Sequence, residues 1–242
     1  MPQAAPSRRQ QQSLLQYGVV ARHRRALASS NQIFLADLTD SAGLSCRAIY
    51  KPCRGESPLW DFPAATLYKR EYLAYRLAAA LAWDIVPPTV IRDGPYGVGS
   101  MQLCVNAQDD RHYFNIAEQH PDPVMRIALL DCLINNADRK GGHVLLDSQD
   151  QVWAIDHGLG FSPERKLRTV MWDIEDRPIP DDLKHNIAAV RDDSSLRDEL
   201  AAHLAPDEVA AFDRRLALIL ASATLPFRHL ADLRRPYPWP VI

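Results

Sequence analysis

Two aspartates, Asp138 and Asp156, each follow an apolar run and lie 18 residues apart in the chain. Asp138 stands in Asn135-Asn136-Ala137-Asp138-Arg139-Lys140-Gly141-Gly142-His143, and Asp156 in Trp153-Ala154-Ile155-Asp156-His157-Gly158-Leu159. Between them, Val144-Leu145-Leu146, a polar turn at Asp147-Ser148-Gln149-Asp150 and the run Val152 to Ile155 read as a β-hairpin. One acid precedes the first strand and the other ends the second. Phosphoryl transfer to a hydroxyl needs that layout: one carboxylate to handle the acceptor O–H, and another to hold Mg²⁺ on the ATP phosphates.

The elements upstream supply the other half of such a site. Val19-Val20-Ala21, Ile33 to Ala36 and Cys46 to Tyr50 read as three antiparallel strands separated by turn-prone segments. Lys51 ends the third, where its ammonium can reach the α- and β-phosphates of a nucleotide. Residues Ala65 to Trp83 read as a helix, with Leu73, Leu77 and Leu81 at i, i+4 spacing and Glu71 in its middle as a carboxylate partner for Lys51. Strands follow at Thr89 to Ile91 and Ser100 to Val105, and the rest of the chain is mainly helical apart from the hairpin. No GxxxxGK[ST] segment occurs, so a Walker-type loop is excluded. The turn Ala28-Ser29-Ser30-Asn31 lacks glycine; Ser29 and Ser30 either cover phosphates with hydroxyls and N–H groups or form an ordinary hairpin turn.

The predicted architecture is α+β: a two-lobed protein-kinase-like fold with a small antiparallel β lobe over residues 14–106 and a larger, mainly helical lobe over 107–242. Residues 1–13, rich in Gln, Ala, Pro and Arg, read as a disordered tail. The proline-rich end, Arg235 to Pro240, cannot be helical and is expected to dock on the body.

Bulk properties narrow the function classes. A net charge of -2 leaves no electrostatic footprint for nucleic acid or an anionic membrane. No apolar stretch approaches the roughly 20 residues of a membrane helix, and no secretory signal is visible. Cys46, Cys53, Cys104 and Cys132 form no CxxC pair and read as reduced thiols, so a cytoplasmic enzyme fits. Only five of the 28 basic residues are lysines, Lys51 and Lys140 among them.

Four segments make the chain resemble the phosphatidylinositol 3-/4-kinase-like superfamily: Ala48-Ile49-Tyr50-Lys51-Pro52, Ile85-Val86-Pro87-Pro88-Thr89, Asn135-Asn136-Ala137-Asp138-Arg139 and Ala154-Ile155-Asp156-His157-Gly158-Leu159. The likeness is to the type II phosphatidylinositol 4-kinase and HipA-type branch, and to a small stand-alone bacterial family. It implies that Lys51 contacts ATP phosphates with Glu71 orienting it. It further implies that the strand end Met101 to Cys104, with Gln102 and Leu103, forms the hinge against adenine. Asp138 would be the catalytic aspartate, Arg139 a brace for that loop or for the transferring phosphate, and Asp156 the ligand of Mg²⁺ or Mn²⁺. The superfamily usually has asparagine five residues after the catalytic aspartate, where this chain has His143, a better ligand for Mn²⁺ or Zn²⁺ than for Mg²⁺, so in the nucleotide pocket His143 either coordinates such an ion, hydrogen-bonds a phosphate or marks a single-metal site. His157 reads as a supporting hydrogen bonder.

The loop Cys53 to Pro63 either folds over the site or docks Trp60 on the β lobe. Lys166-Leu167-Arg168-Thr169 sits where a substrate loop would lie, with two positive charges suited to an anionic acceptor. The leading expectation is a phosphotransferase acting on a small polyol or inositol-like hydroxyl or a protein Ser/Thr. Lipid is the least supported acceptor, with neither a membrane helix nor a basic patch. The alternatives are a nucleotide-binding pseudokinase acting as a regulatory module, and nucleotidyl transfer with ATP inverted.

Overall fold

The computed structural model describes residues 6–26 and 31–242 and divides into two units. One comprises the chain up to Tyr72 together with Pro87–Val105; the other comprises Leu73–Val86 and Asn106–Ile242.

In the first unit, α1 (Arg8–Tyr17) precedes β1 (Val19–Arg25), β2 (Phe34–Thr39) and β3 (Ser45–Pro52), and α2 (Leu67–Ala80) begins within it. With β4 (Thr89–Gly94) and β5 (Gly97–Leu103), the strands form one antiparallel sheet in the order β1-β2-β3-β5-β4. Alternation decides its buried face: Phe34, Ala36 and Leu38 of β2 turn the same way, as do Ala48 and Tyr50 of β3, and they bury with Leu15 and Met101. Tyr50 fills the sheet so closely that a Cβ on Gly94 would come within 2.7 Å of its ring, which reserves that position for glycine.

Residues 8–13, expected to be disordered, belong to α1. Ser7 caps the helix: its Oγ accepts from the Gln10 N–H at 3.4 Å, and Gln10 Oε1 accepts from the Ser7 N–H at 2.8 Å. Leu14 and Leu15 are buried, and Arg92 Nη1 donates to Leu15 O at 3.1 Å and Gly18 O at 2.8 Å. A polar composition suggested disorder, but a capping box and two anchoring leucines outweigh it.

The second unit contains the rest of α2, then α3 (Tyr113–Ile116), α4 (Pro121–Ile134), β6 (Val144–Leu146), β7 (Val152–Ala154), α5 (Asp181–Val190), α6 (Ser194–His203), α7 (Pro206–Ala221) and α8 (Phe227–Leu230). Helix α4 is buried nearly all round, from Val124 and Met125 through Ile127–Ile134, as befits the centre of a helical unit. Helix α7 packs against it through Ala211, Phe212, Leu216 and Ile219. Strands β6 and β7 pair as the expected hairpin, Val144 opposite Ala154. The C-terminal segment docks as expected, with Thr169 N–H donating to Pro236 O at 3.1 Å and Gly141 N–H to Val241 O at 2.7 Å. No helix among the described residues is long and apolar enough to cross a membrane.

Candidate phosphoryl-transfer site

Within the first unit, Lys51 near the end of β3 forms an ion pair with Glu71 on α2. The Glu71 side chain is only 3% exposed, and the ammonium gives this buried carboxylate an opposite charge. Neighbouring Arg70, also buried, is held differently, with Nε donating to Thr66 Oγ1 at 3.3 Å and its guanidinium 5.2 Å from the Phe62 ring centre. Lys51 and Glu71, proposed as partners from chain order alone, do meet.

The expected adenine contacts need correction. Gln102 is buried and its Nε2 donates to Thr89 Oγ1 at 2.9 Å, so the amide belongs to the sheet. The Leu103 N–H donates to Pro88 O at 2.8 Å and the Cys104 N–H to Arg47 O at 2.9 Å, so neither is open to a base. Ser29 and Ser30 lie outside the described residues. Trp60 is 90% exposed and is not docked on the sheet.

In the second unit, Asn135 adopts a left-handed conformation (φ 54°) that ends α4, a role asparagine fills at low cost. Its Nδ2 donates to Ser162 O at 3.0 Å. Asn136 then knits the following turn: Nδ2 donates to Asp131 Oδ1 at 2.9 Å and Oδ1 accepts from the Asp138 N–H at 3.0 Å.

Arg139 braces this loop. Its side chain is fully buried, with Nε 2.7 Å from Asp131 Oδ2 and Nη2 2.9 Å from Asp131 Oδ1, a bidentate pair. Its Nη1 donates to His143 O at 3.2 Å and to Ile155 O at 2.8 Å. A guanidinium so committed cannot touch a transferring phosphate, so Arg139 is a positioning residue and not a catalytic one. Asp131 was missed from the sequence; its signal is an acid inside the apolar run Ile127 to Ile134, which requires a buried partner.

Asp138 is more open, 25% exposed, with Lys140 Nζ 3.1 Å from its Oδ2. Burial raises the pKa of its carboxyl above the ordinary aspartate value; the Asp156 charge adds to that rise and Lys140 opposes it. Lys140 is the second residue that sequence reasoning passed over at this site.

Asp156 follows β7 in a left-handed conformation (φ 61°) and is 46% exposed, turned outward by the local backbone. His143 Nε2 lies 3.4 Å from Asp156 Oδ2. That spacing is near the roughly 3 Å between adjacent ligands on one octahedral ion, so the two fit a shared divalent metal. Among the described residues no three His, Cys, Asp or Glu side chains converge, so the protein offers an incomplete, mixed nitrogen–oxygen set. His157 is fully buried. The 166–169 segment does not present two free charges: Lys166 is buried with Nζ 3.3 Å from Glu164 Oε2, and Leu167 and Thr169 are buried too.

No protein-family model matches the chain. Among solved structures, the fold is similar to that of hydra Fam20 with sugar (TM-score 0.60, 12% identity, 93% of this chain and 90% of that one). It is also similar to the Golgi casein kinase with Mn/ADP bound (TM-score 0.54, 15% identity, covering 97% and 80%). The Helicobacter pylori proinflammatory kinase CtkA matches with a TM-score of 0.50 at 10% identity, covering 87% and 94%. The fold is therefore α+β and protein-kinase-like. Among curated proteins, Protein Rv2133c of Mycobacterium tuberculosis is 37% identical over 254 aligned residues, spanning 90% of that protein. At that identity across 89% of its own length, the chain belongs to the family of Protein Rv2133c.

Proposed function

We propose that the chain is an ATP-dependent phosphotransferase. The observation that carries the reading is the Lys51–Glu71 ion pair on β3 and α2 of a kinase-like fold. A buried glutamate that holds one lysine at a strand end is the device such folds use to orient an ammonium on the α- and β-phosphates. Asp138, Asp156 and His143 of the second unit are the residue types that phosphoryl transfer also needs. A pure nucleotide binder has no use for Asp138.

In this mechanism Asp138 orients the acceptor hydroxyl and takes its proton as the new O–P bond forms at the γ-phosphorus. The bond from that phosphorus to the β,γ-bridging oxygen breaks, and ADP leaves. Lys51 and Lys140 offset charge on the phosphates. Asp156 and His143 would hold a divalent ion, which would supply positive charge to offset the phosphates. Their nitrogen–oxygen donor set favours Mn²⁺ over Mg²⁺ relative to an all-oxygen site, and the Golgi casein kinase offers a Mn/ADP precedent on this fold. The acceptor is a hydroxyl of a small polyol or inositol-like molecule or of a protein Ser/Thr.

His143 in place of asparagine favours one second reading, a nucleotide-binding pseudokinase. The test is ATP binding and turnover with Mg²⁺ or Mn²⁺ for wild type, Asp138→Ala and Asp156→Ala. Mn²⁺-supported turnover lost in both variants supports transfer. Tight ATP binding with no turnover under either metal sinks it and leaves the pseudokinase.

A further inference from the structure

One wall of the second unit encloses a cavity of about 150 Å³ whose chemistry the proposed reaction does not use. Helix α7 contributes Arg214, Arg215 and Leu218, the 163–165 loop contributes Glu164 and Arg165, and Asn135 closes the end nearest α4. Three guanidinium groups thus meet one carboxylate, and Glu164 is turned toward Lys166.

Of the three arginines only Arg215 is buried; Arg165 and Arg214 are exposed. Arg214 makes no ion pair or side-chain hydrogen bond among the described residues. Arg165 Nη2 donates to a neutral carbonyl, Arg228 O, at 2.7 Å. Arg215 lies deepest, only 5% exposed, with Nε on Leu133 O at 2.7 Å and Nη1 on Ser162 O at 3.1 Å. Its Nη2 is buried with no hydrogen-bond partner among the described residues. Native proteins seldom leave a buried charged donor unmatched, and a guanidinium fork matches the oxygens of phosphate. Burial first, and then the adjacent Arg214 charge, bring the Arg215 pKa down to about 10, against the charge of buried Glu208 on the same helix, which raises it.

We propose that this cavity binds a small phosphate-type oxyanion, gripped by Arg215 at its back and by Arg165 and Arg214 at its mouth. The site is distinct from the nucleotide-binding residues and stands whether or not the chain transfers phosphate. Asn135 and Arg215 both donate to Ser162 O, so the cavity lies beside the end of α4, three residues before Asp138.

The test is titration with inorganic phosphate at constant ionic strength, followed by calorimetry and ³¹P line width. Variants are Arg214→Gln with Arg165→Gln, which touch the exposed mouth and spare the buried Arg215, and Lys51→Met as a control at the other site. The expected result is saturable one-to-one binding, competed by sulfate and not by chloride, weakened tenfold or more in the arginine double variant and unchanged in Lys51→Met. Absence of saturable binding, or binding that survives the arginine changes, overturns the proposal. Loss in Lys51→Met alone reassigns the phosphate to the nucleotide site and overturns it as well. Glycerol phosphate separates the two sources of the ligand: binding as tight as phosphate admits an ester, and weaker binding restricts the cavity to the free ion, either result retaining the site.

Discussion

Asp131–Arg139 and Asp138–Lys140 are both carboxylate–cation pairs of the same unit, and their acids are seven residues apart. The first is sealed: both side chains are at most 1% exposed and the contact is bidentate. The second is a single contact at 3.1 Å between partly exposed groups. Burial separates their roles. A sealed pair loses several kcal/mol of Coulomb energy when one partner goes and leaves the other charge stranded, so it works as a clamp. An open pair stays weak, and its carboxylate remains available to a substrate.

Breaking the sealed pair should have the largest effect. Asp131→Asn or Arg139→Met is expected to lower unfolding free energy by about 3–5 kcal/mol, read from urea denaturation. A wild-type midpoint in both variants would end the comparison. Asp138→Asn should do the reverse: turnover falls about 10²–10⁴-fold, while the urea midpoint holds or rises.

The same contrast has a pH signature. The folded-state pKa of Asp138 is raised, so its contribution to stability is fully present below the unfolded aspartate pKa of about 3.9 and is lost as pH rises through the folded value. The wild type should therefore lose stability relative to Asp138→Asn over that interval, seen as diverging melting temperatures from pH 4 upward. Parallel curves would show that the carboxyl is not desolvated. In turnover, the acidic limb should lie above that of an ordinary aspartate.

His143→Asn should move the ratio of Mg²⁺- to Mn²⁺-supported turnover toward Mg²⁺, because an oxygen replaces a nitrogen donor. An unchanged ratio would remove His143 from the metal. Lys140→Met should have the smallest effect on folding, within about 1 kcal/mol. It should also push the acidic limb of the rate profile further up, since Lys140 holds the Asp138 pKa down.

Much of the site was legible in the chain because it depends on local order. The hairpin between Asp138 and Asp156 follows from alternating apolar residues around a polar turn, and β3 pairs as its periodicity suggests. Lys51 and Glu71 were matched by their places on successive elements, and they do pair. Of the two roles open to Arg139, bracing the loop or the transferring phosphate, the structure takes the first, a choice that adjacency to Asp138 does not fix because it says nothing about direction. The Gln102 side chain turns to Thr89 within the sheet, a direction that its place at a strand end does not fix.

By itself the sequence determined the kinds of element, their order and the residue types that chemistry could use, since these depend on periodicity and propensity over a few neighbours. The tertiary structure decided which charges are sealed and which stay open. Whether Arg139 meets Asp131 or a phosphate, and whether Arg215 finds a carboxylate, depends on the low-dielectric packing of segments far apart in the chain. That packing turned one aspartate of this unit into a clamp and left another free to act.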